Sequence, residues 1–451
     1  FSNRRDLREE LMKASVTKCN GGEFDNTELC KRIAKMKHER AMLLGYDNFA
    51  DYILEKRMAE NQANIFNLLD NLYDACYEPA KNDLEQIRAI AKEIDGIDDI
   101  KPWDTVYYGE KLKQKLYDFN EDSLRPYFKS DNVVKGVFDI ANKMYGLKFS
   151  KLDNVQTWHE DVNVYEVMDE DGSHVGILYE DLFPRETKRS GAWMNELRSQ
   201  GMEDGEVLRP HVTFNCNLTK PTESTPSLLT FAEVTTIFHE FGHCLHGLLS
   251  NRKYTSVGGT SVFWDFVELP SQIMENWVGE KEALSLFAHH YETGEVIPDD
   301  LLEKIKDSKN FMSGTMCLRQ LSLGYLDMAW FGEDRNVDNV EEFEWEAVKK
   351  TALMEKIPGA SISCSLGHIF AGGYSAGYYS YKWAEVLEAD AFEKFKEDGI
   401  FNRDTANSFR NNILSQGNMK HPMELYKAFR GREPKVEALL KRDGLMVEDE
   451  A

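Results

Sequence analysis

No apolar run in this chain approaches the roughly 18 uninterrupted residues that a membrane-spanning helix needs, so a membrane is not an expected partner. Paired thiols are missing as well. The seven cysteines (Cys19, Cys30, Cys76, Cys216, Cys244, Cys317 and Cys364) are odd in number, scattered and never spaced as CxxC. That pattern speaks against a disulfide framework or a structural thiolate zinc site and suggests a reducing compartment. Positive charge is scarce: 54 basic side chains stand against 78 acidic ones, a net charge of −24. Such a surface repels phosphate backbones, so nucleic acid is not an expected partner, and solubility accounts for the acid excess. No internal repeat or low-complexity tract occurs, and the given sequence opens at Phe1 with no initiator Met and no charged-then-apolar segment, as a processed or truncated piece would. A cytoplasmic setting is the expectation.

What is present suits a large core. The 451 residues are 42 % hydrophobic and 12 % aromatic, which excludes a disordered chain or a collagen-like repeat. Helical spacing of apolar residues runs through Ile53-Leu54 and Ile65-Phe66-Leu68-Leu69-Leu72. From Trp158 the period changes. Val162, Val164 and Val167 lead into Asp169-Glu170-Asp171-Gly172, and Val175, Ile177 and Tyr179 follow, the pattern of a β-hairpin around an Asp-Gly turn. After a loop containing Pro210, Pro221 and Pro226, helical periodicity resumes. The expected fold is mostly α with a small β insert: 1–155 helical, 156–220 hairpin and loop, 221–451 helical and carrying the chemistry. The hairpin reads either as surface decoration or as an edge strand that pairs with an extended peptide.

The chemistry starts at His239-Glu240-Phe241-Gly242-His243. Residues four apart on a helix lie one turn above each other, so both imidazoles can hold one zinc ion while Glu240 reaches water on it. The setting is helical: Thr230 and Glu233 form a capping-box signature, and Val234, Phe238, Phe241, Leu245 and Leu248 trace an apolar stripe that excludes both histidines. In a chain with 11 histidines, chance supplies fewer than about 0.05 such motifs. The bland reading is a pair of hydrogen-bonded core histidines. His246 lies too close to His243 to be a further ligand and reads as a packing or supporting residue.

A catalytic zinc needs a third protein ligand and one open position. The stretch Trp264-Asp265-Phe266-Val267-Glu268-Leu269-Pro270-Ser271-Gln272 offers Asp265 and Glu268, and spacing alone leaves both open, a helix N-cap pair being the alternative. Glu275, seven residues past Glu268, could orient a ligating imidazole. Near the C-terminus, Tyr374, Tyr378 and Tyr381 at i, i+4 and i+7 would share one helix face after Gly372-Gly373. An aromatic stripe at that spacing is commonly core. The glycines suit a loop that closes over substrate, or an ordinary turn.

HEFGH, the following DFVELPSQIMENW, the upstream KRSGAW (188–193) and HIFAGGYSAGYYSYKW (368–383) together make the chain resemble the thimet-oligopeptidase-like zinc metallopeptidases, a gluzincin family. The resemblance spans essentially the whole chain, with the four motifs in order. It implies a multi-helical, channel-type fold, one zinc ion per chain on His239, His243 and Glu268, and Glu240 as base. It also implies that Tyr374 and Tyr381 contact the reacting carbonyl, and that His368, Tyr378, Gly372 and Gly373 line the substrate's path. Short peptides are the implied substrates. Zinc would activate water and polarise the carbonyl, while Glu240 takes the water proton and passes it to the leaving amine. Release of C-terminal dipeptides is the favoured reading, internal cleavage the alternative, and a non-catalytic peptide-binding protein the reading from another class. Family members are longer at the N-terminus, so part of one channel wall is expected to come from a segment outside this sequence or from another chain.

Overall fold

The computed structural model describes residues 2–118, 120–334 and 336–446. Helices dominate, with one five-stranded and one two-stranded sheet among the described residues, the expected balance. Contacts divide the chain into two compact units. One comprises Phe1–Phe119, Ser308–Trp383 and Leu440–Ala451, the other Asn120–Asp307 and Ala384–Leu439. These limits differ from the segments 1–155, 156–220 and 221–451, because local composition cannot register that residues beyond 308 pack against residues before 100.

The first unit is organised by the 34-residue helix Gln62–Asp95 lying along the helix Ser313–Phe331. Ile65, Leu69, Leu72, Cys76, Ala80, Leu84 and Ile87 recur every three or four residues and are all buried, the stripe that drives this pairing. The backbones approach closely at Gly314, where a Cβ would stand 2.6 Å from the Ala80 nitrogen. Asn61 caps the long helix, its side chain accepting from the Asn64 N–H, and Gly96 ends it in the left-handed conformation.

In the second unit the strands are β1 (Lys148–Lys151), β2 (Asn163–Met168), β3 (His174–Asp181), β4 (Trp193–Arg198), β5 (Gly201–Glu203), β6 (Glu206–Leu208) and β7 (His211–Asn215). The expected hairpin is β2–β3, turning through Asp169–Ser173 with Gly172 at φ +84°. In the larger sheet the order is β1-β2-β3-β7-β4, antiparallel except for the β3–β7 pair. Both hairpin strands are therefore flanked by neighbours, and the edge-strand reading does not hold for them. β1 takes the outer side of β2, and β7 takes that of β3. The edges are β1 and β4. The helix Phe231–Leu248 packs on β7 and β4, burying Phe241 among Phe138, Phe149 and Phe214.

Candidate metal centre and the tyrosine segment

The helix that carries HEFGH begins as its sequence indicates. Thr230 Oγ1 accepts from the Glu233 N–H at 3.1 Å, and Glu233 Oε2 accepts from the Thr230 N–H at 2.8 Å, closing the capping box. Val234, Phe238, Phe241, Leu245 and Leu248 are buried, which holds the opposite face, with His239 and His243, towards the short helix Leu269–Glu275. Gly242 permits that approach: a Cβ there would stand 2.2 Å from the Pro270 carbonyl oxygen and 2.6 Å from Ser271 Cα.

Glu268 sits just before this second helix and extends Oε2 to 3.4 Å from His239 Nε2 and 3.1 Å from His243 Nε2. One ligand atom from each of the three side chains lies within 4.8 Å of the others, and among the described residues no other His, Cys, Asp or Glu set has this property. A tetrahedral ion with bonds of about 2.0–2.1 Å separates its ligand atoms by about 3.3 Å, so both imidazole–carboxylate distances fit zinc. Asp265, which spacing left open, is buried outside the cluster. Glu275 Oε1 lies 2.7 Å from His239 Nδ1. That acceptor assigns a proton to Nδ1 and makes Nε2 the nitrogen that would bind a metal on giving up its own proton. The Ser271 hydroxyl, 2.8 Å from Glu268 Oε2, orients the carboxylate.

Electrostatics follow the same geometry. Burial opposes a charged His239, but the Glu268 and Glu275 carboxylates outweigh it and hold the ring well above the usual imidazole range. Glu268 is held well below the usual carboxylate range: burial works against the charge, and the two imidazoles overcome it. Glu240 is 5 % exposed and its Oε2 has no hydrogen-bond partner among the described residues. Burial raises its pKa against the pull of His239 and His243. His246 is fully buried with neither ring nitrogen bonded among the described residues, and burial pushes it down to about 3, so it is a neutral packing residue.

The tyrosine segment belongs to the first unit. The expected shared helix face is not formed, because the helix Ser380–Asp398 starts after Tyr374 and Tyr378. Those two tyrosines lie in a turn with Ala376 at φ +52°. The rings nevertheless cluster. Tyr374 stacks on Tyr381 at 4.8 Å between centroids, Tyr378 meets Tyr381 at 5.3 Å, and His368 lies 5.9–6.5 Å from all three. Tyr378 is mostly buried and donates to Gln320 Oε1 at 3.3 Å. Gly372 and Gly373 sit in an exposed stretch with His368, where the Gly372 N–H closes a turn onto the Gly367 carbonyl at 2.7 Å.

Against known sequences, the family model described as "Peptidase family M3" matches residues 2–445. The chain belongs to peptidase family M3. It is 42 % identical over 456 residues to oligopeptidase A of Escherichia coli strain K12, covering 99 % of this chain and 67 % of that protein. With the dipeptidyl carboxypeptidase of the same strain it shares 34 % over 450 residues, 98 % of this chain and 66 % of that one. It thus spans about two thirds of the length of the curated relatives it matches. Among solved structures, the M32 carboxypeptidase from Deinococcus radiodurans R1 superposes with a TM-score of 0.59 at 13 % identity, covering 98 % of this chain and 79 % of that one. PZ peptidase A with inhibitor 2 gives 0.57 at 15 %, covering 98 % and 68 %. At these identities the likeness is one of fold, that of helical peptidases. The M3 chain is a metallopeptidase, and its His-His-Glu set has the donor chemistry of the family's zinc dependence.

Several structural residues of this M3 peptidase have no signal in spacing. KRSGAW is one motif whose role only contacts reveal. The Lys188 side chain is buried and donates to Asp181 Oδ1 at 2.9 Å and to the carbonyls of Asp181, Phe183 and Cys216. Asp181 also accepts from Arg185 twice and from Trp158 Nε1, each at 2.9 Å. Although burial opposes its charge, these donors depress Asp181 to about 2. The knot ties the loop after β3 to the end of β7. Arg209 acts similarly at the end of the HEFGH helix, its Nη2 donating to the Leu248 carbonyl at 3.1 Å.

Proposed function

We propose that this M3 peptidase hydrolyses peptide bonds in short peptides with one zinc ion held by His239, His243 and Glu268. The observation that carries the reading is the convergence of two Nε2 atoms and one carboxylate oxygen beside Glu240. Bound zinc would supply Lewis-acid polarisation and acidify water. Glu240 takes a proton from the attacking water and returns it to the departing amine nitrogen, the raised pKa matching a group that must hold that proton between the two steps. Glu275 keeps the His239 ring in the tautomer that leaves Nε2 available. Tyr374 and Tyr381 donate hydrogen bonds to the oxygen that becomes negative at the scissile carbonyl, while His368, Tyr378, Gly372 and Gly373 contact the peptide.

Internal cleavage is favoured over release of C-terminal dipeptides, since identity to the oligopeptidase exceeds that to the dipeptidyl carboxypeptidase, 42 % against 34 %. Dipeptide release stands as the second reading. A purely peptide-binding role is disfavoured by the intact HExxH with its base in place. The scattered, odd set of seven cysteines supports a reducing, cytoplasmic setting.

The deciding experiment measures zinc per chain and maps products by mass spectrometry from one peptide with a free or an amidated C-terminus. Internal cleavage predicts the same products from both forms. Loss of cleavage on amidation establishes dipeptide release instead. Glu240→Gln should keep the zinc and lose about 10²–10⁴-fold in turnover; undiminished turnover would refute the base assignment.

A further inference from the structure

The largely exposed stretch from Ser365 to Gly373 is held at both ends by buried carboxylates. On one side, Glu344 accepts from the N–H groups of Ile362 and Ser363 and from the Ser363 hydroxyl, each at 2.8 Å. On the other, Asp327, on the helix Ser313–Phe331 and fully buried, accepts from three consecutive N–H groups. Oδ1 takes Ala376, and Oδ2 takes Gly377 and Tyr378, all at 2.8 Å. Three adjacent N–H groups converge only because Ala376 adopts φ +52°, a conformation an alanine avoids. The result is an anion-binding nest filled by the protein's own carboxylate. The next residue back is tied too. Lys37 Nζ donates to Ser375 Oγ, whose hydroxyl donates to the Ile369 carbonyl.

A buried carboxylate and a strained alanine both cost stability, and an apolar pair with a relaxed turn would be cheaper. Their location gives the reason. Tyr374 lies two residues before the strained alanine and Tyr378 two residues after it, and the turn sets where the helix bearing Tyr381 begins. We propose that Asp327 is a positioning residue of the peptidase reaction: by clamping the 376–378 turn it fixes the phenols of Tyr374 and Tyr381 relative to each other. This rests on the reading that those phenols serve the scissile carbonyl. Displacement of such a donor by about 1 Å is enough to lose about 10²-fold in rate.

The test uses the zinc-loaded full chain and an internally quenched peptide. Asp327→Asn should lower kcat about 10- to 100-fold, with KM within about threefold and zinc content unchanged. Amide exchange at 376–378 should accelerate. In a Tyr374→Phe/Tyr381→Phe background the same substitution should cost less than about threefold, because the groups it positions are gone. Asp327→Glu, which keeps the charge but displaces the acceptor oxygens by one methylene, should lower kcat in the same direction and covers the case that Asp327→Asn folds poorly; Ser375→Ala, which removes the neighbouring Lys37–Ser375–Ile369 tie, should lower kcat by less. An Asp327→Asn loss undiminished in the double-phenylalanine background, or parental kcat together with accelerated exchange, overturns the inference alone. A double-phenylalanine variant with parental kcat overturns the reading of the tyrosines, and the inference with it.

Discussion

The metal triad and the tyrosine segment use opposite supports. His239 and His243 project from a capped helix whose apolar stripe is wholly buried, and Glu268 begins a second helix pressed on the first at Gly242. Tyr374 and Tyr378 project from a turn whose Ala376, Gly377 and Tyr378 N–H groups are satisfied by the side chain of Asp327, and His368 from the single helical turn Gly367–Phe370. The difference matches the demands on each. A metal site needs ligand atoms placed once, to within a few tenths of an ångström, which regular backbone provides. Groups proposed to contact a peptide must let it in and out, which largely exposed glycine-rich chain between two anchors allows.

Four substitutions can break or sharpen this contrast. Glu268→Gln should have the largest effect, losing zinc on dialysis and turnover with it, measured by metal analysis and a peptide assay; retained zinc would show that the triad is not the site. Tyr381→Phe should keep the metal and reduce kcat about 10²–10³-fold, as removal of one oxyanion donor does. Equal kcat would confine the chemistry to the triad. Glu275→Gln should weaken zinc binding about 10- to 100-fold by competition with a chelator, with a smaller effect on the turnover of fully loaded protein. Asp181→Asn should leave both regions working and act on stability, costing about 3 kcal/mol at neutral pH because Lys188 stays buried without its partner. Since folding depresses the Asp181 carboxyl from 3.8 to about 2, its stabilisation is present above pH 3.8 and lost as pH falls towards 2. The denaturation midpoints of parent and variant should therefore converge over that interval; a gap independent of pH would place the cost elsewhere.

How much could be read beforehand divides along the same line. The helix Phe231–Leu248, its Thr230–Glu233 cap, the β2–β3 hairpin and the mostly α fold follow from period, capping residues and an Asp-Gly turn, all of them local signals. The i, i+4, i+7 spacing of the tyrosines predicts one helix face, whereas the turn that replaces it depends on a carboxylate 49 residues away in sequence. Whether the hairpin is surface decoration or an edge strand stays open in the sequence because a hairpin cannot reveal its outer neighbours, here β1 and β7.

Residue identity and spacing alone determined the chemistry on offer: two imidazoles one helical turn apart with a carboxylate between them, on a helix with one apolar side. That information is local, and the helix repeat of 3.6 residues expresses it directly. Folding decided the choice of Glu268 over Asp265, the close approach at Gly242, the burial of Lys188 on Asp181 and the clamp of Asp327 on a turn far along the chain. Each depends on segments distant in sequence meeting in space, and the free energy that brings them together resides in the packed core rather than in any one motif.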